Sequence, residues 1–307
     1  MQLTLVTVSQ LCCMFAFMAV GYFFRKKNIF PENAGVTLSR LLVNVLLPPM
    51  VILSLINNFK VEILKDNFYL LIFACVVLTV TGILAVFLAR IFSKNKTTRG
   101  IYIYSFTIPN LGYMAYPIVK ALFGETAFFN TLIYCLPYNI YIYTLGMYFL
   151  TSRKDLTVKT ALKALFNPSM IATIIAMILG LLNVKLPGII TKTMQMAENC
   201  VTPCAMILTG TVFARINMKS VFTDYRSYIA SFIRLVAIPV VALIIFRALH
   251  LPEEWILPSF VVLAMPMGVN SVVFPEAYGG DAESGAKVCF MSAILAIVTI
   301  PLVFSLL

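Results

Sequence analysis

Apolar residues run along this chain in blocks of about twenty, each ended by a short polar or basic stretch. A bilayer core of about 30 Å takes about 20 residues of helix. On that measure the blocks predict ten spans, at 3–24, 35–56, 68–89, 100–123, 127–150, 162–183, 188–213, 228–247, 256–278 and 285–306. No connection between them is long enough to hold a soluble domain. The predicted fold class is an all-α polytopic membrane protein, with one five-helix repeat in residues 1–151 and a second in 155–307.

Spans 4, 7 and 9 fit the pattern poorly, because they carry Pro, Gly, Asn or an acid inside the apolar run. In hydrocarbon an unpartnered peptide group is costly, so helix breakers survive only where protein or water covers the freed groups. Pro109 removes a donor and Gly112 loosens the turn in span 4; Pro266 and Gly268 do the same in span 9. Both spans are expected to be discontinuous, broken near 109–112 and 266–270, rather than merely kinked. Each break exposes a half-helix N-terminus, whose free N–H groups and dipole favour an anion.

The chain also repeats itself. Residues 44–55 (NVLLPPMVILSL) align without gaps to 199–210 (NCVTPCAMILTG), matching Asn44 to Asn199, Pro48 to Pro203 and Ser54 to Thr209. Further on, IPNLGYMAYPIVKALFGE (108–125) pairs with MPMGVNSVVFPEAYGGD (265–281). Five spans is an odd number, so equivalent elements run in opposite directions, the inverted repeat on which many secondary transporters are built.

Composition agrees with a membrane protein: 61% of residues are hydrophobic and 11% charged, against about 25% charged in soluble domains. The net charge of +11 would suggest nucleic acid in a soluble chain, but its distribution says otherwise. Arg25, Lys26, Lys27, Arg90, Lys94, Lys96, Arg99, Arg153, Lys154, Lys159, Lys163, Arg215, Lys219, Arg226 and Lys287 follow odd-numbered spans. Lys60, Lys65, Lys185, Lys192 and Arg247 follow even-numbered ones. The positive-inside rule then places both termini outside the cytoplasm, in a multi-pass protein of the cytoplasmic membrane. The first apolar block lacks a basic leader, as expected of a span rather than a cleaved signal. All seven cysteines fall inside predicted spans, and Cys200 with Cys204 is a poor metal site in a chain with one histidine.

The stretches IPNLGYMAYPIVKALFG, FNPSMIATIIAMILGLL (166–182), TPCAMILTG and AYGGDAESGAKV resemble the auxin efflux carrier family, which includes bacterial malonate and malate permeases. The resemblance covers almost the whole chain. It implies broken helices 4 and 9 that cross, a scaffold of spans 1, 2, 6 and 7, and a transport domain of spans 3–5 and 8–10. It further implies an elevator-type motion and a homodimer. The long loop between halves seen in many plant members is absent here, which argues against auxin itself.

Asn110, the amide after the crossover proline, is the first candidate for substrate contact, since it can both donate to and accept from an acid. Asn270 is its looser counterpart, and Pro109, Pro266 and Gly268 shape the breaks. Asn44 and Asn199, each one turn before a proline, either reach ligand from the scaffold or bond across helices. Tyr138, close to one face with Tyr134 and Tyr141, is a candidate wall of the site. Glu198 in span 7 is the candidate for ion coupling. Arg234 in span 8 either balances a carboxylate substrate or snorkels to the cytoplasmic face, as Lys120 and Glu276 are expected to do at the surfaces nearest them. His250 falls in an outer loop.

The function predicted is secondary active transport of a small organic anion, a mono- or dicarboxylate, with no catalytic residue, metal or cofactor and no nucleic-acid partner. Na⁺ held by hard oxygen ligands at the breaks, or H⁺ carried by Glu198, would couple it. The alternative is a membrane receptor for a small molecule on the same fold. An enzyme is disfavoured by the lack of an HExxH motif or a nucleophile elbow.

Overall fold

The computed structural model describes residues 2–58, 64–150, 168–215 and 218–307. Arg153, Lys154, Lys159, Lys163 and Lys60, and the boundary between the two halves, lie outside those residues. Among the described residues every regular element is helical.

The helices are α1 (Gln2–Lys26), α2 (Ala34–Leu41), α3 (Leu47–Asn58), α4 (Leu64–Phe92), α5 (Lys96–Thr107), α6 (Tyr116–Tyr134), α7 (Leu136–Tyr141) and α8 (Met147–Leu150). They continue as α9 (Pro168–Leu181), α10 (Gly188–Asn199), α11 (Val201–Phe213), α12 (Met218–Phe222), α13 (Tyr225–Phe232), α14 (Ile238–Ala248), α15 (Glu253–Ala264), α16 (Asn270–Tyr278) and α17 (Ala282–Phe304). Wide π-type turns at Leu42–Leu46, Leu111–Ala115, Ile142–Gly146 and Ile233–Ala237 join or precede them.

Among the described residues, four continuous helical runs are long and apolar enough to cross a bilayer: Ala34–Ile56, Phe68–Phe92, Tyr225–Ala248 and Ala282–Phe304. The expected spans at 100–123, 127–150, 188–213 and 256–278 are each divided, so none forms a single rod. Span 7 divides where no break was expected: α10 ends at Asn199 and α11 starts at Val201, with Pro203 in the first turn of α11. Gly124 (φ 80°) turns the chain inside the α6 run, and Gly279 (φ 77°) ends α16. The pair recurs at the end of each aligned segment, where a left-handed residue suits glycine.

Span 4 is broken over 108–110 and span 9 over 265–269, and the two interruptions lie against each other. Asn110 N–H donates to the Pro266 carbonyl (2.8 Å), and Gly268 N–H donates to that of Ile108 (3.4 Å), giving an antiparallel bridge between Pro109 and Met267. A methyl on Gly268 would sit 3.1 Å from the Pro109 carbonyl oxygen, which is why glycine stands at the crossing. Two more of the freed groups find side chains: Met267 N–H donates to Ser292 (3.1 Å), and the Gly268 carbonyl accepts from Ser271 Oγ (2.7 Å).

Around this crossing α1 packs on α11 and α3 on α9, while α4 packs on α5, α6 on α15 and α16 on α17. Small residues permit the closest approach: Gly21 faces the Ile207 backbone, and Gly210 faces that of Met18. Loop contacts join ends that the charge pattern assigns to one side. Arg25 and Arg215 both reach Glu32, Arg226 reaches the Phe92 carbonyl (3.1 Å), and Thr98 donates to Asp281 (2.6 Å). Asp281 also caps α17 through Ser284 N–H (3.0 Å). Burial raises its pKa, but the bonds from Thr98 and Ser284 and the charge of Lys287 outweigh that and leave it lowered. Its contribution to stability is therefore present at neutral pH and is lost as pH falls through that lowered pKa.

Gly210→Ala is expected to lower stability by about 1–3 kcal/mol, because the methyl meets rigid backbone. Gly188→Ala, with nothing within 4 Å of the added carbon, is expected to leave it unchanged. Melting temperatures of the purified proteins in detergent check the pair.

Candidate functional site

The crossing does more than satisfy its own peptides. It forms one wall of a cavity of about 160 Å³. Pro109, Asn110 and Gly112 line it from the first break, and Gly268 and Asn270 from the second. Facing them are Val43, Leu47, Val51 and Leu55 from the α2–α3 run, with Met170 and Thr173 of α9. Leu132, Leu136, Asn139 and Ile142 close the third side. The cavity thus lies between helices from several parts of the chain, with one apolar wall and one polar wall.

No charged side chain lines it among the described residues. Its polar groups are the amides Asn110, Asn139 and Asn270, the hydroxyls of Ser39, Thr173, Tyr113 and Tyr116, and backbone at the breaks. Asn110 is 4% exposed and precedes a helical segment, yet its side chain makes no capping hydrogen bond. Among the described residues the side chains of Asn139 and Asn270 likewise have no hydrogen-bond partner. Asn110 is buried and Asn139 and Asn270 are half-buried, so three amides without a protein partner share one cavity that a ligand or water can enter. The segment opened by Leu111 and the helix opened by Asn270 both begin at the cavity, and their first N–H groups close local turns, Leu111 to Pro109 (3.0 Å), Ser271 to Gly268 (3.0 Å) and Val272 to Val269 (2.9 Å). Such ends carry about half a positive charge each.

Five of the residues singled out in the sequence, Pro109, Asn110, Gly112, Gly268 and Asn270, come together on the cavity wall. The others stand elsewhere. Pro266 supports the crossing through its carbonyl. Tyr138 is fully buried outside the cavity, with its hydroxyl 3.2 Å from that of Tyr134, which in turn lies 2.9 Å from Ser259 Oγ. Asn44, in a π-type turn, and Asn199, at the end of α10, are both exposed and away from the cavity. Glu198 pairs with Lys120 on α6. Lys120 also pairs with Glu125 (2.7 Å) and lies over the Phe128 ring (5.5 Å), so it is held by protein partners instead of snorkelling alone. The Glu276 side chain lies outside the described residues. His250 is exposed in its loop.

Arg234 departs most from expectation. It is 0% exposed, so it does not snorkel, and it does not line the cavity. Nη1 donates to the Phe106 carbonyl (3.0 Å) and Nη2 to the Val262 carbonyl (3.3 Å).

Sequence reasoning missed Asn139, Tyr113, Tyr116, Ser39 and Thr173. A signal existed for the first: Asn139 adjoins Tyr138 in YCLPYNIYIY, one residue and about 100° of helix away. The tyrosines packed into the bundle, and the amide beside them faces the cavity.

Residues 6–158 and 151–304 match the family model described as Membrane transport protein. Among curated relatives, the Uncharacterized transporter YfdV of Escherichia coli strain K12 is 20% identical over 293 residues, covering 93% of this chain and 92% of that protein. The Uncharacterized transporter MJ1031 of Methanocaldococcus jannaschii is 24% identical over 296 residues, covering 92% and 93%. An uncharacterized transporter of Methanothermobacter thermautotrophicus is 22% identical over 294 residues, covering 92% of each.

Because the Asn110 side-chain amide has no hydrogen-bond partner among the described residues, Asn110→Ala is expected to leave the melting temperature of the empty protein within about 2 °C of the parent. It should weaken binding of a small carboxylate at least about tenfold, as expected for a lost hydrogen bond to a charged group. Thermal shift titrations with malonate and malate read both quantities. Unchanged affinity removes Asn110 from the site.

Proposed function

As the chain belongs to the membrane transport protein family, the family of the auxin efflux carriers that its motifs resemble, we propose that it is a secondary active carrier of a small organic anion. The observation that carries this reading is the uncharged cavity where three unpartnered amides and two helix N-termini converge. A carboxylate leaving water needs donors, and the six N–H bonds of the three amides supply them, with the positive ends of the two helices adding to the field. Leu47, Val51, Leu55 and Met170 offer apolar surface for the carbon skeleton. A cavity of about 150 Å³ holds benzene, so this one suits an acid of roughly six to nine non-hydrogen atoms, in the range of short mono- and dicarboxylates.

The transport step we infer is an elevator. A transport body of α4–α8 and α13–α17 slides against a scaffold of α1–α3 and α9–α11, carrying its half of the cavity with it. The two bodies are built from two inverted five-helix repeats, residues 1–151 and 155–307, and the protein sits in the cytoplasmic membrane as a homodimer with both termini outside. The Lys120–Glu198 pair joins α6 of one body to α10 of the other, so it must open during the stroke. Glu198 then becomes free to take up a proton, which makes it the place where H⁺ would enter the cycle. The family and the names of the relatives favour carriage over sensing or catalysis.

Proteoliposomes preloaded with unlabelled malonate are expected to accumulate labelled malonate or malate saturably. Binding without any movement would overturn the carrier reading. In a background without native cysteines, oxidation of a Lys120→Cys/Glu198→Cys pair is expected to stop at least about 90% of uptake, and a reductant to restore it. Uptake that continues with the bridge formed would exclude relative motion of the two bodies.

A further inference from the structure

A cation completely buried in a bilayer protein pairs with an acid or with backbone carbonyls. Among the described residues no acidic side chain pairs with Arg234. The titratable groups that face it are the phenols Tyr138 and Tyr134. Its two hydrogen-bond acceptors come instead from the ends of two different helices: Phe106 is the second-last residue of α5, and Val262 lies two residues before the end of α15. These are the two half-helices that stop at the crossing.

Carbonyls in the last turn of a helix have no intrahelical donor and carry the negative end of the dipole. At most helix ends water or a cap satisfies them. Here the ends converge inside the protein; Met265 N–H makes a long bond to the Val262 carbonyl (3.4 Å), and a guanidinium reaches both ends with separate N–H groups. Arg234 projects from the π-type turn Ile233–Ala237, an element that belongs to neither broken helix. One side chain therefore fastens two helix termini to a third helix and supplies the positive charge that both termini attract.

Carbonyl oxygens at converging half-helix ends are the hard donors that bind coupling cations in carriers with discontinuous helices. We infer that Arg234 is a tethered cation occupying that position: it closes the carbonyl side of the crossing, so the site keeps its shape and binds its anion with no metal cation there. This deepens the carrier reading and rests on it for the anion, although the cation's structural effect is independent of any substrate. It also narrows the question of coupling. Na⁺ held by these carbonyls is displaced as an option, because a metal ion would have to eject a fixed positive charge that is already hydrogen-bonded. The donor side of the crossing, with its amides and N–H groups, is left for the anion. Nε of Arg234 has no hydrogen-bond partner, so the hold is through the two Nη groups alone, and a lysine can replace only one of the two bonds with good geometry.

The test uses the ligand-free, full-length protein first. The melting temperature of the parent protein is expected to be the same in sodium, potassium or choline chloride. Arg234→Ala is expected to lower it by about 5–10 °C. Millimolar guanidinium should recover at least half of that loss, Na⁺ a smaller part and choline none. Arg234→Lys should fall between parent and Arg234→Ala. Guanidinium that fails to stabilise a folded Arg234→Ala, or Na⁺ that stabilises the parent selectively over choline, would overturn the inference. If Arg234→Ala does not fold, the comparison of parent and Arg234→Lys across the three salts still decides, since a metal ion at the crossing predicts selective stabilisation by Na⁺ in both. Malonate binding is measured separately in each salt. Equal affinity in sodium and choline is expected, and a requirement for Na⁺ sinks the inference while leaving the carrier reading standing. Absence of binding by any carboxylate to a parent protein that passes the salt comparison sinks the carrier reading alone.

Discussion

A peptide group inside a bilayer has no water to turn to, and two segments of this chain are prevented by proline from forming unbroken helices. That constraint organises the centre of the molecule. Each interruption frees donors on one side and acceptors on the other, and neither segment can satisfy them alone. Crossing the two lets Asn110 N–H serve Pro266 and Gly268 N–H serve Ile108. Ser292, Ser271 and Arg234 take most of what remains. The break of either segment would be costly without the other.

The same arrangement sorts charge without placing a charged side chain in the cavity. Helix starts and amides point one way, helix ends point the other, and the guanidinium occupies the second side. On the function proposed above, an entering anion would meet amides held at the crossing of the two breaks and would need little reorganisation of the site. The charged residues that do interact at a distance, Lys120, Glu125 and Glu198, sit together on helices that meet from different parts of the chain. Their attraction resists motion between those helices, whereas most of the α2–α3 wall that faces the breaks is apolar: Val43, Leu47, Val51 and Leu55.

Much of this was legible in the residues. Pro109 and Pro266, each with glycine close by, marked two breaks within a residue or two of where they occur. Asn110 and Asn270 could be assigned to those breaks because an amide beside a proline in an apolar run has few other uses. The family followed from IPNLGYMAYPIVKALFG and its partner motifs. Other positions resisted for identifiable reasons. Tyr138 and Asn139 are neighbours in sequence, and only the rotation of the helix decides which faces the cavity. Asn44 and Asn199 share the repeat pattern that pointed to a role, but repeat equivalence preserves backbone position and not exposure.

Sequence alone determined that the chain lives in a membrane, where the two crossing helices break and which amides stand at those breaks, because these depend on hydrophobic length and on the missing N–H of proline, both local properties. Tertiary structure decided what each break faces. Whether Arg234 meets water, a substrate or two helix ends, and whether Glu198 stands alone or against Lys120, depends on partners 28 to 128 residues away in the chain. No local pattern encodes such a partner, because an ion or a carbonyl binds whatever packing brings within about 3 Å.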